Sequence, residues 1–302
     1  MNTARLRRRR LLLSATTLTL IGLLAAVQSV AAAGPATVGL GTAKPFAVLA
    51  GTPKVASTGA TVINGNLGIS PAAAVTGFPP GIVHGTVHKA DAVALQAQTD
   101  LTAAYTDAAG RPVTATHGAL GGLTLAAGVY NAGGVVLDLT GTLTLDGQHD
   151  PSSVWIFQAT SALVTASSSR VKLINGASSC NVFWQVTSSA TLGSGSTFVG
   201  TIMALTSITI NSGVTVHGRA LARNGEVSLI NDRITSTRCF GSGAGSGAGS
   251  GGGATPPATD TILPTDVPGT APSPLLFVGI FLAAFVLVAR RLLLREDRPR
   301  LS

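Results

Sequence analysis

Eight carboxylates are the first candidates for chemistry in the part of the chain between residues 34 and 240: Asp91, Asp100, Asp107, Asp138, Asp146, Asp150, Glu226 and Asp232. Cleavage of a polysaccharide needs two such groups held together as acid and base, or a cluster around a cation. Three of the eight fall in one predicted helix, and Asp146 and Asp150 flank Gly147, where Asp is ordinary in turns. A β-helical polysaccharide lyase or hydrolase therefore remains only as a weaker alternative, and we expect no catalytic residue.

Two histidines are spaced closely enough to suggest a metal. His84 and His88 lie four residues apart, in a glycine-containing segment that favours a strand. Four residues of strand cover about 13 Å, which is too far for two ligands of one ion. The sequence therefore predicts no metal site.

The chain has two cysteines, Cys180 and Cys239. An even number in an exported domain predicts a disulfide between them, because the compartment is oxidising. Two unpaired buried thiols are the alternative.

A repeat supplies the elements that must position the remaining polar residues. The sequence from Ser189 to Ala204 aligns without gaps on the sequence from Ser207 to Ala222, an offset of 18 residues. Short β-like runs separated by glycine at such a period predict a β-solenoid, in which each coil buries its apolar side against the next. A pattern of apolar residue, any residue, glycine recurs around Gly65, Gly85, Gly200 and Gly218 and predicts corners. The first two precede the helix described below, so we expect the N-terminal segments to form coils of the same solenoid.

Alternation within the strands predicts one outward ladder of hydroxyl groups. Leucine, isoleucine and valine point inward and small polar residues point outward. The predicted ladder, extended by the N-terminal coil, consists of Thr58, Thr61, Thr142, Thr144, Thr191, Thr209 and Ser228. Long charged side chains are almost missing from this set, which is unusual for an exposed β-surface.

Two other faces compete with that ladder. One carries Thr201, Met203, Arg219, Leu221 and Arg223 outward, and its long apolar side chains suit a covering helix. The third carries Thr197, Val199, Thr215 and His217, and by sequence it is also uncharged at neutral pH.

One helix interrupts the β pattern. No glycine or proline occurs from Lys89 to Ala109, and small or apolar residues recur at helical spacing. Gly110 ends the helix and Pro112 prevents its return. Its alanine-rich stripe is suited to packing along one solenoid face.

The ends of the chain predict export and anchoring. Five arginines precede an apolar stretch that closes on Ala31-Ala-Ala33, which is typical of a signal peptide over residues 1–33; a permanent signal anchor is the alternative. The solenoid domain is predicted over residues 34–240, and a Gly/Ser then Pro/Thr linker over 241–274. Residues 275–294 predict a transmembrane or sorting segment, and 295–302 a basic cytoplasmic tail.

The basic net charge belongs to those ends. Of the formal +8, residues 1–33 contribute +5 and residues 241–302 contribute +1, so residues 34–240 carry only +2. This nearly neutral body has no basic stripe of the kind that nucleic-acid binding requires.

Several long motifs run in order along the body, among them Ser153-Val-Trp-Ile-Phe-Gln158 and Asn181-Val-Phe-Trp-Gln-Val186, together with residues 40–49, 64–71, 104–110, 171–177 and 218–222. In these motifs the body resembles the secreted ice-binding proteins of a microbial solenoid family. It implies an all-β solenoid of triangular cross-section with one long helix along a face, and ice binding by a flat β-face without a cofactor. Many members carry Thr-Ala/Gly-x-Thr/Asn on that face, which here matches Thr58-Gly-Ala-Thr61.

The resemblance and the ends together define the expected function. We expect a monomeric, non-enzymatic protein that is displayed outside the cell, held to the membrane or wall by its C-terminal segment, and that binds an ice crystal surface. A surface adhesin that binds glycan or another cell is the alternative from a different class.

Overall fold

A computed structural model describes residues 34–236, and within them the chain forms a succession of short parallel strands. In chain order the strands are β1 (Phe46–Ala50), β2 (Lys54–Thr58), β3 (Val62–Asn64), β4 (Asn66–Ile69), β5 (Ala74–Thr76), β6 (Ile82–Val83), β7 (Val87–Lys89), β8 (Ala115–Thr116), β9 (Thr124–Leu125), β10 (Gly128–Asn131), β11 (Leu137–Leu139), β12 (Thr142–Asp146), β13 (Trp155–Ala159), β14 (Leu163–Thr165), β15 (Arg170–Ile174), β16 (Val182–Val186), β17 (Ala190–Leu192), β18 (Thr197–Ala204), β19 (Ile208–Ile210), β20 (Thr215–Ala222), β21 (Val227–Ile230) and β22 (Arg233–Thr235). The helix α1 spans Ala92–Ala109, and two 3₁₀ turns span Gly41–Ala43 and Ser179–Asn181.

Parallel pairing stacks the strands into three faces, as the predicted β-solenoid requires. The helix face contains β8, β10, β13, β16, the second halves of β18 and β20, then β1, β4 and β7. A second face, named the threonine face here, contains β11, β14, β17, β19, β21, β2 and β5. A third, named the basic face, contains β9, β12, β15, the first halves of β18 and β20, then β22, β3 and β6.

The stacking order differs from the chain order in one respect. The N-terminal strands β2 and β3 pair with β21 and β22, the last strands of the described chain. The N-terminal segments therefore are coils of the same solenoid, as predicted, but they are added after its C-terminal coil. The helix α1 then returns the chain from β7, at one end of the stack, to β8 at the other.

Glycines make the corner between the basic face and the helix face. Strands β18 and β20 pass through this corner at Gly200 and Gly218, whose φ angles are +111° and +157°. A Cβ atom on Gly218 would collide with the carbonyl oxygen of Gly200 in the coil below. The repeated glycine pattern thus reflects both a conformation and a close backbone approach that other residues resist.

A ladder of aromatic rings fills the inside of the coils. Tyr130, Phe157, Trp184 and Phe198 follow one another, with ring centroids 5.6, 4.1 and 4.8 Å apart. The Nε1 of Trp184 donates to the carbonyl oxygen of Val199 at 2.9 Å, so its one polar atom is satisfied in the core. These contacts between successive coils hold the stack together where no side chain reaches solvent.

The helix α1 covers its face as predicted, although it begins three residues later than the sequence suggests. The side chain of Asp91 caps the first turn by accepting from the Ala94 backbone N–H at 2.8 Å. Its buried stripe is Ala94, Ala97, Gln98, Leu101, Ala104 and Ala108. Beneath it, Met203 and Leu221 are fully buried. Arg219 is also covered, and its Nε donates to the Lys44 carbonyl oxygen at 2.8 Å; burial lowers its pKa to about 10.

Several predictions concern residues that the structure does not describe. The signal peptide, the linker, the C-terminal segment and Cys239 lie outside residues 34–236, while Cys180 lies in the 3₁₀ turn Ser179–Asn181. Between residues 34 and 236, no helix is long and apolar enough to cross a membrane.

Candidate ice-binding surface

The threonine face presents one row of short side chains in unbroken register. Thr191 pairs with Thr209, and Thr209 with Ser228, in adjacent parallel strands. The row continues through Val164 on one side and through Ala56 and Thr76 on the other. With about 4.8 Å between strands, the six residues from Val164 to Thr76 extend over roughly 24 Å.

The threonine face rests on a buried layer. The residues that precede five of the six members of the row have no exposed surface: Leu163, Ala190, Ile208, Val227 and Val55. The sixth, Val75, is partly buried against the same core. The core therefore fixes the backbone of the face. Threonine and valine are also stiff at χ1, so the row loses little side-chain entropy when it is covered.

Charges lie at the borders of the threonine face. Asp138 on β11 occupies the end of the row beyond Val164, where it accepts a hydrogen bond from the Thr140 hydroxyl at 3.0 Å. Lys54 begins β2 and Glu226 directly precedes β21, along one long edge. The six-residue row itself carries no charge.

Thr142 and Thr144 are not part of this row, so the predicted single ladder is wrong for them. Strand β12 pairs with β15, which places Thr142 beside Arg170 and Thr144 beside Lys172 on the basic face. Alternation tells which residues of a strand point outward, but the side of the triangle depends on how many residues form each preceding corner. The sequence around β12 does not repeat at 18 residues, so the number of residues in its corners could not be read from the repeat.

Thr61 is also misplaced by the prediction, whereas Thr58 is not. Thr61 is fully buried at a corner, where its hydroxyl oxygen accepts from Ser57 Oγ at 2.8 Å and from the Asp232 backbone N–H at 3.2 Å. Thr58 is exposed on β2 and pairs with Ile230, two residues along the strand from Ala56 in the main row. The four-residue motif therefore turns inward at its second threonine.

The competing third face is not uncharged. Thr197 and Thr215 lie between Arg170 and Arg233 in a single row of the basic face, and Lys172 lies two residues beyond Arg170 on β15. His217 is exposed as predicted, but Val199 is buried in the core rather than directed outward. The sequence comparison of only two coils missed these cations, because they belong to the coils on either side. Of the two faces that α1 leaves open, the threonine face alone has an uncharged central row.

Sequence reasoning also missed three members of the row. Val164, Ala56 and Thr76 alternate correctly in their strands, but only the stacking order places them beside Thr191 and Ser228. The alternation in Lys54-Val-Ala-Ser-Thr58 indicates that Ala56 points outward. It could not show that β2 stacks beside β21 in the solenoid.

Asp232 is the one buried carboxylate among the described residues, and it supports the corner between the threonine and basic faces. Its oxygens accept from the backbone N–H groups of Ile230 at 2.6 Å and Val214 at 2.9 Å. Burial nevertheless raises its pKa to about 7, although these hydrogen bonds act in the opposite direction. Its place inside the coil gives it a structural role.

The remaining predicted candidates for acid–base chemistry are dispersed. Asp91, Asp100 and Asp107 bond to His88, Thr42 and Arg111 respectively, around the helix. Asp146 accepts from the Gln148 backbone N–H, and Asp150 accepts from the hydroxyl and the backbone N–H of Ser152; these hydrogen bonds lower the pKa of both carboxyls. Between residues 34 and 236, no group of three or more His, Cys, Asp or Glu residues could hold a metal ion.

Comparison with known proteins agrees with this architecture. Residues 48–235 match the family described as Ice-binding-like. An ice-binding protein of Nostoc sp. is 47% identical over 206 residues, which cover 67% of this chain and 74% of that protein. The crystal structure of an ice-binding protein from an Antarctic biological consortium is 44% identical with a TM-score of 0.66, covering 69% of this chain and 95% of that one.

A second solved structure is similar over its whole length. The ice-binding protein of the Antarctic ascomycete Antarctomyces psychrotrophicus is 40% identical with a TM-score of 0.65, and the match covers 67% of this chain and 100% of that one. The sequence motifs, the stacked coils with their covering helix and these similarities lead to one conclusion: the chain belongs to the Ice-binding-like family.

Proposed function

We propose that this protein binds ice through the threonine face, with Thr191, Thr209 and Ser228 at its centre. The observation that carries the proposal is the uncharged row of short side chains in unbroken register. The face is long in the direction of strand stacking, its side chains repeat at the strand spacing, and the buried core beneath it holds its backbone in place.

The spacing of the row suits a crystalline ligand. Neighbouring side chains repeat at about 4.8 Å, which is close to a lattice repeat of ice. Each threonine offers a methyl group, around which water orders, and a hydroxyl group, which can occupy a position in the ordered layer. Ser228 supplies the hydroxyl, and Ala56 and Val164 supply the apolar part, in the same register.

Rigidity is the second requirement that this face meets. Each contact with ice is weak, so binding requires many contacts to form together with little ordering of the protein. The inward anchors Ala190, Ile208 and Val227 are fully buried, and the β-branched side chains of Thr191 and Thr209 have few rotamers. A long mobile lysine or arginine in the row would disturb the ordered water, which counts against the basic face.

Thr58 extends the surface in a second row, in register with Ile230. Asp138, Lys54 and Glu226 mark where the surface ends, because their charges favour liquid water over an ice-like layer. The proposed contact area is therefore the middle of the threonine face.

We further propose that the protein acts outside the cell, held there by its C-terminal segment. The basis is sequence only: the arginine-led apolar start, the Gly/Ser-rich and Pro/Thr-rich linker sequence and the apolar stretch before Arg290. Protease treatment of intact cells tests this display. The solenoid should be cleaved on cells that carry the full-length protein, and deletion of residues 275–302 should release the solenoid from the cells.

Paired substitutions on the same two coils test the face assignment. In the full-length protein, Thr191→Tyr with Thr209→Tyr should abolish ice shaping and thermal hysteresis, because two rings would protrude from the row. Thr197→Tyr with Thr215→Tyr changes the same residue type in the adjacent strands of the basic face and should retain both activities. Tyrosine is favourable in exposed strands, so both variants should fold. Loss of activity in the second variant and not the first would refute the assignment.

A further inference from the structure

We propose that the basic face is a second binding surface, for an acidic polysaccharide. This inference is independent of ice binding, because it concerns a different side of the solenoid. It begins with the row Thr142, Arg170, Thr197, Thr215, Arg233, Val62 and Ile82, which the strand pairing aligns.

Three cations lie on this face without a compensating charge. Arg170 and Lys172 point outward from the same strand, and Arg233 lies three strands away, about 14 Å from Arg170. All three are exposed. Between residues 34 and 236 the ion pairs are His88 with Asp91 and Arg111 with Asp107, so none of the three takes part in one.

The carboxylate on this face is already engaged. Asp146 ends β12 beside Ile174, and it accepts from Gln148 N at 2.9 Å and from Asn175 Nδ2 at 2.8 Å. These hydrogen bonds lower its pKa, so it stays charged, but it lies at the margin of the face. The centre therefore has a positive potential in a domain that is otherwise almost neutral.

The groups between the cations are suited to a sugar chain. Thr197 and Thr215 separate Arg170 from Arg233, and Thr235 and Asn64 continue the neighbouring row. Hydroxyl and amide groups can hydrogen-bond to sugar hydroxyls, while a guanidinium group can bind a carboxylate or sulfate with two parallel hydrogen bonds. A flat face with widely spaced cations matches a linear polymer that carries an acidic group on some of its sugars.

Nucleic acids and membranes match this face less well. Three cations could neutralise few phosphates, and the outward rows offer no tryptophan, tyrosine or phenylalanine on which a base could stack. Three surface cations also give only weak attachment to anionic lipid, at about 1 kcal/mol each. The acidic polysaccharide is therefore the partner that the charge and the hydroxyl groups favour.

Binding of the full-length protein to alginate tests the proposal, with neutral dextran as the polymer control. Arg170→Gln, Lys172→Gln and Arg233→Gln together should weaken alginate binding by about tenfold or more, since three charged contacts are lost. Lys44→Gln, Lys54→Gln and Lys89→Gln remove the same formal charge from exposed positions off the basic face and should change it by less than about threefold. Binding to alginate should weaken at high salt.

The same proteins give the results that would overturn the proposal. Equal losses in the two triple variants would mean that net charge, and not this face, governs binding. Binding of the wild type to duplex DNA or to phosphatidylglycerol vesicles more tightly than to alginate would assign the face to another partner. Ice shaping should be retained in both triple variants, so a failure of this inference is distinguishable from a failure of the ice-binding proposal.

Discussion

Replacing Trp184 by phenylalanine tests how the inner aromatic ladder stabilises the solenoid. The indole ring is fully buried, and its centroid lies 4.1 Å from that of Phe157 and 4.8 Å from that of Phe198. Its Nε1 donates to the Val199 carbonyl oxygen, directly before the corner at Gly200. Phenylalanine would keep a ring in the ladder but would leave that buried carbonyl without its donor.

Two costs add up in this variant. An unsatisfied buried carbonyl costs about 1–3 kcal/mol. The smaller ring leaves a cavity, which adds roughly 1 kcal/mol if about 40 Å³ stays empty. The free energy of unfolding should therefore fall by about 3 kcal/mol. For a domain of this size that corresponds to a decrease in Tm of roughly 6–12 °C.

Urea and thermal unfolding followed by circular dichroism measure this loss, and Phe198→Leu provides the comparison. Phe198 is buried beside Trp184 but makes no polar contact through its ring, so the leucine variant should lose only about 1 kcal/mol. If Trp184→Phe is no less stable than Phe198→Leu, the hydrogen bond to Val199 does not contribute as the structure indicates.

Three further predictions concern the helix, the buried carboxylate and the cysteines. Leu101→Ala, in the buried stripe of α1, should lower the free energy of unfolding by about 2–5 kcal/mol. Leu95→Ala, on the exposed side of the same helix, should change it by less than about 0.5 kcal/mol. Similar losses in the two variants would mean that α1 does not pack as described. Since burial raises the pKa of Asp232 to about 7, the folded state holds the proton of this carboxyl more tightly than the unfolded state does. The free energy of unfolding should therefore fall by up to about 1.4 kcal/mol per pH unit between about pH 4 and pH 7. Asp232→Asn should remove this slope, and parallel plots of unfolding free energy against pH for the two proteins would contradict the prediction. Mass spectrometry without reductant should find Cys180 bonded to Cys239, and two freely alkylated thiols would disprove the pairing.

The sequence predicted most of the fold because local patterns repeat. The 18-residue offset established the coils, the alternation in Leu192 and Ile210 identified the inward side, and the absence of glycine and proline before Gly110 located the helix. Each of these features depends on neighbours within one coil or on the coil that follows directly in the sequence. Burial of Leu192, Ile210 and Leu101 confirms the assignments.

The candidate site was predicted only in part, because a face is a long-range property. Thr191, Thr209 and Ser228 fall together since their coils repeat in sequence, but Thr142 belongs to a coil with different corners and lies on another side. Ala56 joins the row only because N-terminal strands stack on C-terminal ones. Such pairing depends on the whole stack and leaves no periodic signal in the sequence.

Uptake of the protein into slowly growing ice is the most direct test of the threonine face. Thr209→Lys and Thr215→Lys change half-buried threonines that lie on consecutive strands of the chain, one at the centre of the threonine face and one at the centre of the basic face. We expect the ice fraction to take up the wild type and the Thr215→Lys protein and to exclude the Thr209→Lys protein. Uptake of Thr209→Lys at the wild-type level, with exclusion of Thr215→Lys, would contradict the proposal that ice binds to the threonine face.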